Sequence, residues 1–257
     1  MINTLRLSLK FEALAVSLIV AVALPFALRH YMQLGQVVIT TRASQWHHTT
    51  LADGTAVHVD ARSQVKVEYS DEARIVTVDQ GSAVFEVAHD PKRPFIARTH
   101  LLDATAVGTR FGVSIDRGVT TTVSEGIVAV TARGQYGTGA GIILKAGEEL
   151  RVPESGQGGP THAKVNAERR LEWATGWLAF EGETVGDIVN ELNRRNAIQI
   201  EIEQPDVSAR PMHGYQRFRV DSSAAIAQYI AETNDLVMIE DRSGSVLRLR
   251  PTRDRAH

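Results

Sequence analysis

Hydrophobic and polar positions change their rhythm twice along this chain. A run without charge, ALAVSLIVAVALPFAL at 13–28, comes first. From 46 to 152 the rhythm has period two: Val57 and Val59, then Val65, Val67 and Tyr69, then Ile75 and Val76 through Val78 sit among polar neighbours. The same texture returns at 84–87, 95–97, 111–115, 120–123 and 127–130. Turn dipeptides separate these runs: Asp53-Gly54, Ser70-Asp71, Gln80-Gly81, Asp90-Pro91, Arg117-Gly118, Glu125-Gly126, Arg133-Gly134 and Ala146-Gly147. Alternation, β-branched enrichment and regular turns predict an all-β domain over 46–152, built as a sandwich, barrel or roll.

The stretch PESGQGGPT at 153–161 predicts a linker over 153–170, with a short polar helix around 164–173 leading out of it. Residues 171–250 then read as a small two-layer α+β domain in the order β-α-β-β-α-β-β. A strand at 176–180 precedes a helix that Thr184 caps, with Asp187 as its capping-box partner. Val185, Ile188, Val189 and Leu192 give that helix one apolar stripe. Ile198, Ile200 and Ile202 alternate with polar residues, as in a half-buried strand. A strand at 212–217 leads to a helix capped by Asp221 or Ser222, with Ile226, Tyr229 and Ile230 facing inward. Strands at 236–239 and 246–249 close the unit.

Flanking residues extend the apolar run to 13–34, which meets the roughly 20 residues a membrane helix needs. Arg6 and Lys10 precede it, which places a short stub, 1–12, in the cytoplasm and the bulk of the chain outside. A cleaved signal peptide is the competing reading, although the small-residue cleavage sites are poor. The fold class expected is therefore mainly β: an all-β domain, a small α+β domain and one N-terminal transmembrane helix.

Composition narrows the chemistry. A formal net charge of -2 with no long basic run argues against nucleic-acid binding. With no cysteine, the chain has no disulfide, thiolate metal site, cysteine nucleophile or lipidated cysteine. His47, His48 and His58 form the nearest group among nine histidines, but adjacent residues on a strand point to opposite faces, and no HExxH spacing occurs. No metal or cofactor is expected. Gly134, Gly137, Gly139 and Gly141 lack phosphate-loop spacing and suit a hairpin tip. Trp173 and Trp177 flank the start of the second domain, where packing against the first is the default and a partner contact the alternative. Nothing announces a catalytic triad or paired carboxylates, so no enzyme is expected.

Several blocks, in order, resemble the FecR family of membrane-bound regulators of extracytoplasmic-function sigma factors. They are LADGTAVHVDARSQVKV at 51–67, GSAVFEVAHDP at 81–91, AVGTRFGVSI at 106–115, VSEGIVAV at 123–130 and AGEEL at 146–150. GWLAFEGETVGDIVNELNRRN at 176–196 resembles the start of that family's C-terminal domain, which is similar to the short N-terminal domains of secretins and TonB-dependent receptors. The resemblance implies an inner-membrane protein, its bulk periplasmic, that receives a signal from the N-terminal signalling domain of a TonB-dependent outer-membrane receptor, often one loaded with a ferric chelate. Contact would run through protein surfaces, including strand addition at an exposed sheet edge of the C-terminal domain. It further implies control of a sigma factor, and so of iron uptake, through a cytoplasmic arm of several tens of residues. Only about a dozen residues precede the apolar run here, too few for a stable helical domain, so either the start site is misplaced or that arm is lost. Some family members resemble self-cleaving proteins that break at a Gly-Thr bond in this region, which points to Gly108-Thr109 in VGTRF. The plain alternative there is a tight turn entering a strand. A component of an envelope machine using a secretin-like small domain is the alternative function.

Overall fold

The computed structural model describes residues 37–137, 141–154 and 158–251. The predicted stub and membrane helix, 1–12 and 13–34, lie outside the described residues, as does Gly139. Among the described residues no helix is long and apolar enough to cross a membrane.

Thirteen strands make up the first unit. They are β1 (Val37–Thr40), β2 (His47–Thr50), β3 (Ala56–Val59), β4 (Gln64–Tyr69), β5 (Arg74–Glu86), β6 (Phe95–Arg98), β7 (Leu102–Ala106), β8 (Arg110–Ile115), β9 (Gly118–Glu125), β10 (Ile127–Ala132), β11 (Ile142–Lys145), β12 (Glu148–Pro153) and β13 (Thr161–Lys164). The 13-residue β5 belongs to two layers at once. Its first half pairs with β4 and, in parallel, with β6. Its second half pairs with β3 and β8. One layer therefore runs β1-β4-β5-β6-β7-β10-β11 and the other β2-β3-β5-β8-β9-β12-β13.

The inner faces of these layers meet in one core, where Phe85, Phe95 and Phe111 interlock with ring centroids 5.1 to 6.2 Å apart. Arg74 is fully buried beside this cluster. It forms an ion pair with Asp53 at 2.8 Å and donates to the carbonyls of Ala88 and Arg93. Tyr69 also donates to Asp53, so the buried cation is paired and hydrogen-bonded through Nε and Nη1, while its Nη2 has no hydrogen-bond partner among the described residues.

Gln80-Gly81 does not reverse the chain as its turn signature suggested. β5 continues through it, and Gly81, at φ +78°, bends the strand from one layer into the other. A Cβ on Gly81 would lie 2.7 Å from the Cα of Ser63. The first unit also begins earlier than expected, because β1 pairs with β4. Part of the expected linker, 153–170, is regular structure: β13 extends the sheet beyond β12, and helix α1 (Ala167–Leu171) follows. The helix expected around 164–173 is thus shorter, with a 3₁₀ turn, Glu172–Thr175, after it.

The second unit keeps the predicted order with one added short helix. Its elements are β14 (Trp177–Glu181), α2 (Val185–Arg195), β15 (Gln199–Ile202), α3 (Pro205–Ser208), β16 (Tyr215–Arg219), α4 (Ser223–Thr233), β17 (Leu236–Glu240) and β18 (Val246–Pro251). Thr184 and Asp187 form the capping box, and Val185, Ile188, Val189 and Leu192 are buried. Its strands form two small sheets, β14-β16 and β15-β18-β17, with α2 and α4 contributing to one core. The strand expected at 212–217 starts later, at Tyr215, because Met212 is drawn into that core.

The bend at Gly81 yields a test. Gly54 also has positive φ, at +88°, but a Cβ there would meet only Ala88 at 3.7 Å. Gly54→Ala should cost about 1 kcal/mol, the penalty for a left-handed non-glycine residue. Gly81→Ala adds the collision with Ser63 and should cost clearly more, about 3 kcal/mol, in urea unfolding followed by circular dichroism. Equal losses would mean that Ser63 gives way.

Candidate functional site

The residues that sequence singled out are scattered over the structure, and of them Trp173 lies where the two units meet. Gly108 and Thr109 form a corner where the chain leaves β7 in one layer for β8 in the other. Such corners stack on one another. Val87 N–H donates to Thr109 O at 2.9 Å, and Ala146 N–H donates to Gly126 O at 3.2 Å. Between them, a Cβ on Gly126 would lie 2.7 Å from Thr109 Cγ2 and 3.2 Å from Gly108 O. Gly108 itself is not among the positive-φ glycines. Glycine is needed there for a close approach, since a Cβ would sit 2.7 Å from Nδ1 of His89. Thr109 is buried, and its Oγ1 has no hydrogen-bond partner.

On the outer face of the second layer, His48 lies directly across from His58, with ring centroids 4.4 Å apart. His47 pairs with Val59. Glu86 lies 3.4 Å from His58 and 3.4 Å from Arg110, which also reaches Glu168 on α1 at 2.9 Å. Burial pushes the His58 pKa below its ordinary value, His48 pushes the same way, and Glu86 opposes them only in part. Among the described residues no group of three or more acidic or histidine side chains could hold a metal ion. Gly134 begins a 3₁₀ turn, Gly134–Tyr136, and Gly137 and Gly141 lie with it in the connection between the paired strands β10 and β11.

The junction between the units carries the densest polar contacts. Asp60, buried just past β3, accepts from Arg195 Nε at 3.1 Å and pairs with Arg195 Nη2 at 2.9 Å. Arg195 also pairs with Glu191, one turn earlier on α2, and its guanidinium lies 5.6 Å from the Trp173 ring centroid. Arg194 binds Glu191 at 3.1 Å and approaches Asp60 at 3.8 Å. Burial alone would raise the Glu191 pKa. The charges of Arg195 and Arg194 outweigh it and hold the carboxyl down at about 2. Backbone contacts complete the joint: Ser44 N–H donates to Arg195 O at 2.7 Å, and Ala197 N–H donates to Ser44 Oγ at 2.7 Å.

Apolar contact reinforces this. Val84, on the outer face of β5, is part of the second unit's core. Gly112 gives α1 its seat, since a Cβ there would lie 2.5 Å from Leu171 Cδ2. A polar cleft of about 220 Å³ remains beside the joint, lined by Ser82, Ser114, Thr122, Glu149 and Arg194 among others. Its groups satisfy one another: Ser82 and Ser114 lie 2.8 Å apart, and Thr122 donates to Glu149 at 2.8 Å. The arrangement is suited to holding two units in register.

The two tryptophans part company. Trp173 is buried in the joint, as the default reading expected. Trp177 stands half-buried on the outer face of the β14-β16 sheet, with the Arg217 and Arg219 guanidinium groups 4.4 and 5.6 Å from its ring centroid. Tyr215, exposed, is on the same strand as the two arginines. The Asp60–Arg195 pair escaped the sequence reading, although a signal was present. Arg195 continues the Ile188 and Leu192 stripe at i+7 and i+3, and a cation on a buried stripe requires a buried anion.

Residues 37–129 match the family model described as FecR protein. No curated protein matches the sequence. Among solved structures, the chain is similar to a candidate anti-sigma factor from Parabacteroides distasonis. One crystal structure of it, at 2.50 Å resolution, aligns with a TM-score of 0.66 and 23% identity, covering 85% of this chain and 100% of that one. A second, at 1.65 Å, gives a TM-score of 0.66 and 23% identity over 84% of this chain and 99% of that one. That likeness establishes a shared fold across both units.

The joint can be tested by removing one charge and then both. Arg195→Met strands the buried Asp60 carboxylate and should destabilise the protein by about 3–5 kcal/mol in thermal or urea unfolding. Adding Asp60→Leu should restore most of that loss, and a double variant no better than the single one would refute the pairing. Because the folded Glu191 pKa lies below its unfolded value near 4.5, its contribution is present above that pH. It should fade as pH falls from there towards about 2, and Glu191→Gln should flatten that acid limb.

Proposed function

We propose that this chain, FecR-like over residues 37–129, is a membrane-anchored signal-transducing regulator. In this reading its bulk is periplasmic. It receives a signal from the N-terminal signalling domain of a TonB-dependent outer-membrane receptor and controls an extracytoplasmic-function sigma factor, in the service of iron uptake. The observation that carries the reading is the FecR match, joined to a fold shared over the full length of a candidate anti-sigma factor.

The physical logic is transmission through a stiff coupling. A partner bound to the second unit acts on the first through the Asp60–Arg195–Glu191 joint. The first unit is a laced double layer whose leading strand, β1, follows directly on the apolar N-terminal segment. Strand addition at the free edge of β16 suits the receptor, because that strand presents Tyr215, Arg217 and Arg219 beside Trp177. Tryptophan, tyrosine and arginine are the residue types that dominate binding energy at interfaces.

A second reading concerns Gly108-Thr109, and the buried, unpartnered Thr109 hydroxyl favours it. In it the hydroxyl attacks the Gly108 carbonyl and the amide nitrogen leaves as an amine. The resulting ester is hydrolysed by water to the Gly108 carboxylate and free Thr109.

Binding of the full-chain protein in detergent to the receptor signalling domains of the same genome tests the first reading. One of them should bind, and Trp177→Ala should weaken it by more than tenfold, a loss of about 2 kcal/mol, with unchanged circular dichroism. Failure to bind any of them would sink the receptor reading, and a secretin-type partner would favour the envelope-machine alternative. For the second reading, the expressed chain should yield a fragment beginning at Thr109 that Thr109→Ala abolishes and Thr109→Ser retains. A single intact band would exclude cleavage.

A further inference from the structure

The three-stranded sheet of the second unit ends on an unusual edge. β17, LVMIE, is its outermost strand and contains no proline, lysine or bulge of the kind that protects exposed edges. Asp241 N–H donates to Val246 O, so the antiparallel alternation makes Ile239/Arg248 and Val237/Arg250 the hydrogen-bonded pairs with β18. The backbone groups of Leu236, Met238 and Glu240 therefore point away from the sheet, along its free edge.

The outer face of this sheet is striped by strand. β15 contributes Glu201, with Glu203 just past its end, and β18 contributes Arg248 and Arg250. Cross-strand ion pairs join them, at 3.0 Å for Arg248–Glu201 and 2.7 Å for Arg250–Glu203. The arginines are thereby turned inward, toward β15. What remains at the edge is a purely apolar row, Val237 and Ile239, 39% and 42% exposed.

We propose that two copies of this chain pair through β17, antiparallel about a two-fold axis at Met238, to make one continuous six-stranded sheet. The pattern on the strand is what singles out a second copy. A two-fold axis at Met238 sets Val237 against Ile239 of the other copy and repeats the contact on the far side, so apolar meets apolar without any foreign sequence. Each arginine row stays one strand back from the seam, neutralised by its own glutamates, so no like charges meet there. The outward-pointing backbone groups of 236, 238 and 240 form the new ladder. The 237/239 pairs then fall at non-hydrogen-bonded positions, where side chains approach most closely. This edge is distinct from β16, so pairing of copies and receptor binding stand or fall separately.

Because the chain has no cysteine, introduced thiols report on this geometry alone. In the paired sheet, residue 237 lies about 4.5 Å, Cα to Cα, from residue 239 of the other copy, within disulfide range. Like residues, 237 with 237 or 239 with 239, are diagonal neighbours about 7–8 Å apart, beyond that range. Full-chain Val237→Cys and Ile239→Cys proteins, purified in detergent, are therefore oxidised singly and as a mixture. The mixture should give a disulfide-linked dimer in several-fold higher yield than either variant alone. Ile239→Lys, on an exposed position that leaves the fold intact by circular dichroism, should lower the dimer fraction in sedimentation. Equal yields in all three samples, no linked dimer in any, or exclusive linkage in whole cells to a different protein would each overturn the proposal.

Discussion

Asp60 is the point on which both halves of this molecule bear. Its N–H donates to Ser82 O, just past the bend in β5, and its carbonyl accepts from Thr41. Its carboxylate faces the other way and holds Arg195. A single buried residue thus fixes the crossing between the layers and the seat of the second unit. Buried ion pairs contribute modestly to net stability but strongly to geometry, because a buried charge left without its partner is costly. The consequence is positional: α2 has one favourable placement against the sheet.

Around that point, the first unit is laced rather than stacked. Strand pairs alternate between the layers, β6-β7 in one, β8-β9 in the other, β10-β11 back again, β12-β13 across once more. Each crossing leans on the one before it through a backbone contact or a close glycine approach. Non-local pairing of this kind is costly in loop entropy and slow to form, but it leaves few independent pieces once formed.

Much of this was legible in the sequence, and the remainder was hidden for identifiable reasons. Period-two alternation located β3, β4, β5, β6, β8, β9, β10 and the strands of the second unit, since inward and outward positions differ in burial, but it named no strand at β1, β2, β7, β11, β12 or β13. The Thr184–Asp187 box and the Val185–Leu192 stripe predicted α2 in detail. Turn dipeptides, however, do not say where the chain goes next. Arg117-Gly118 closes a hairpin between β8 and β9, whereas Glu125-Gly126 sends the chain to the opposite layer and Gln80-Gly81 only bends a strand. All three carry a positive-φ glycine. The partner of Arg195 lay 135 residues away, and only the packed structure brings Asp60 to it.

The lacing has a mechanical consequence at the Gly108-Thr109 corner. A chain interrupted there would not come apart. On the N-terminal side β7 is paired with β10 from the other side, and β5 is paired with β8. The two segments would remain interlocked, native in outline and in mass, with their new ends at one corner of the roll. Separating them without denaturation would require unzipping β5 from β8 and β7 from β10 and breaking the Asp60–Arg195 joint, so the native fold retains a broken backbone until force releases it.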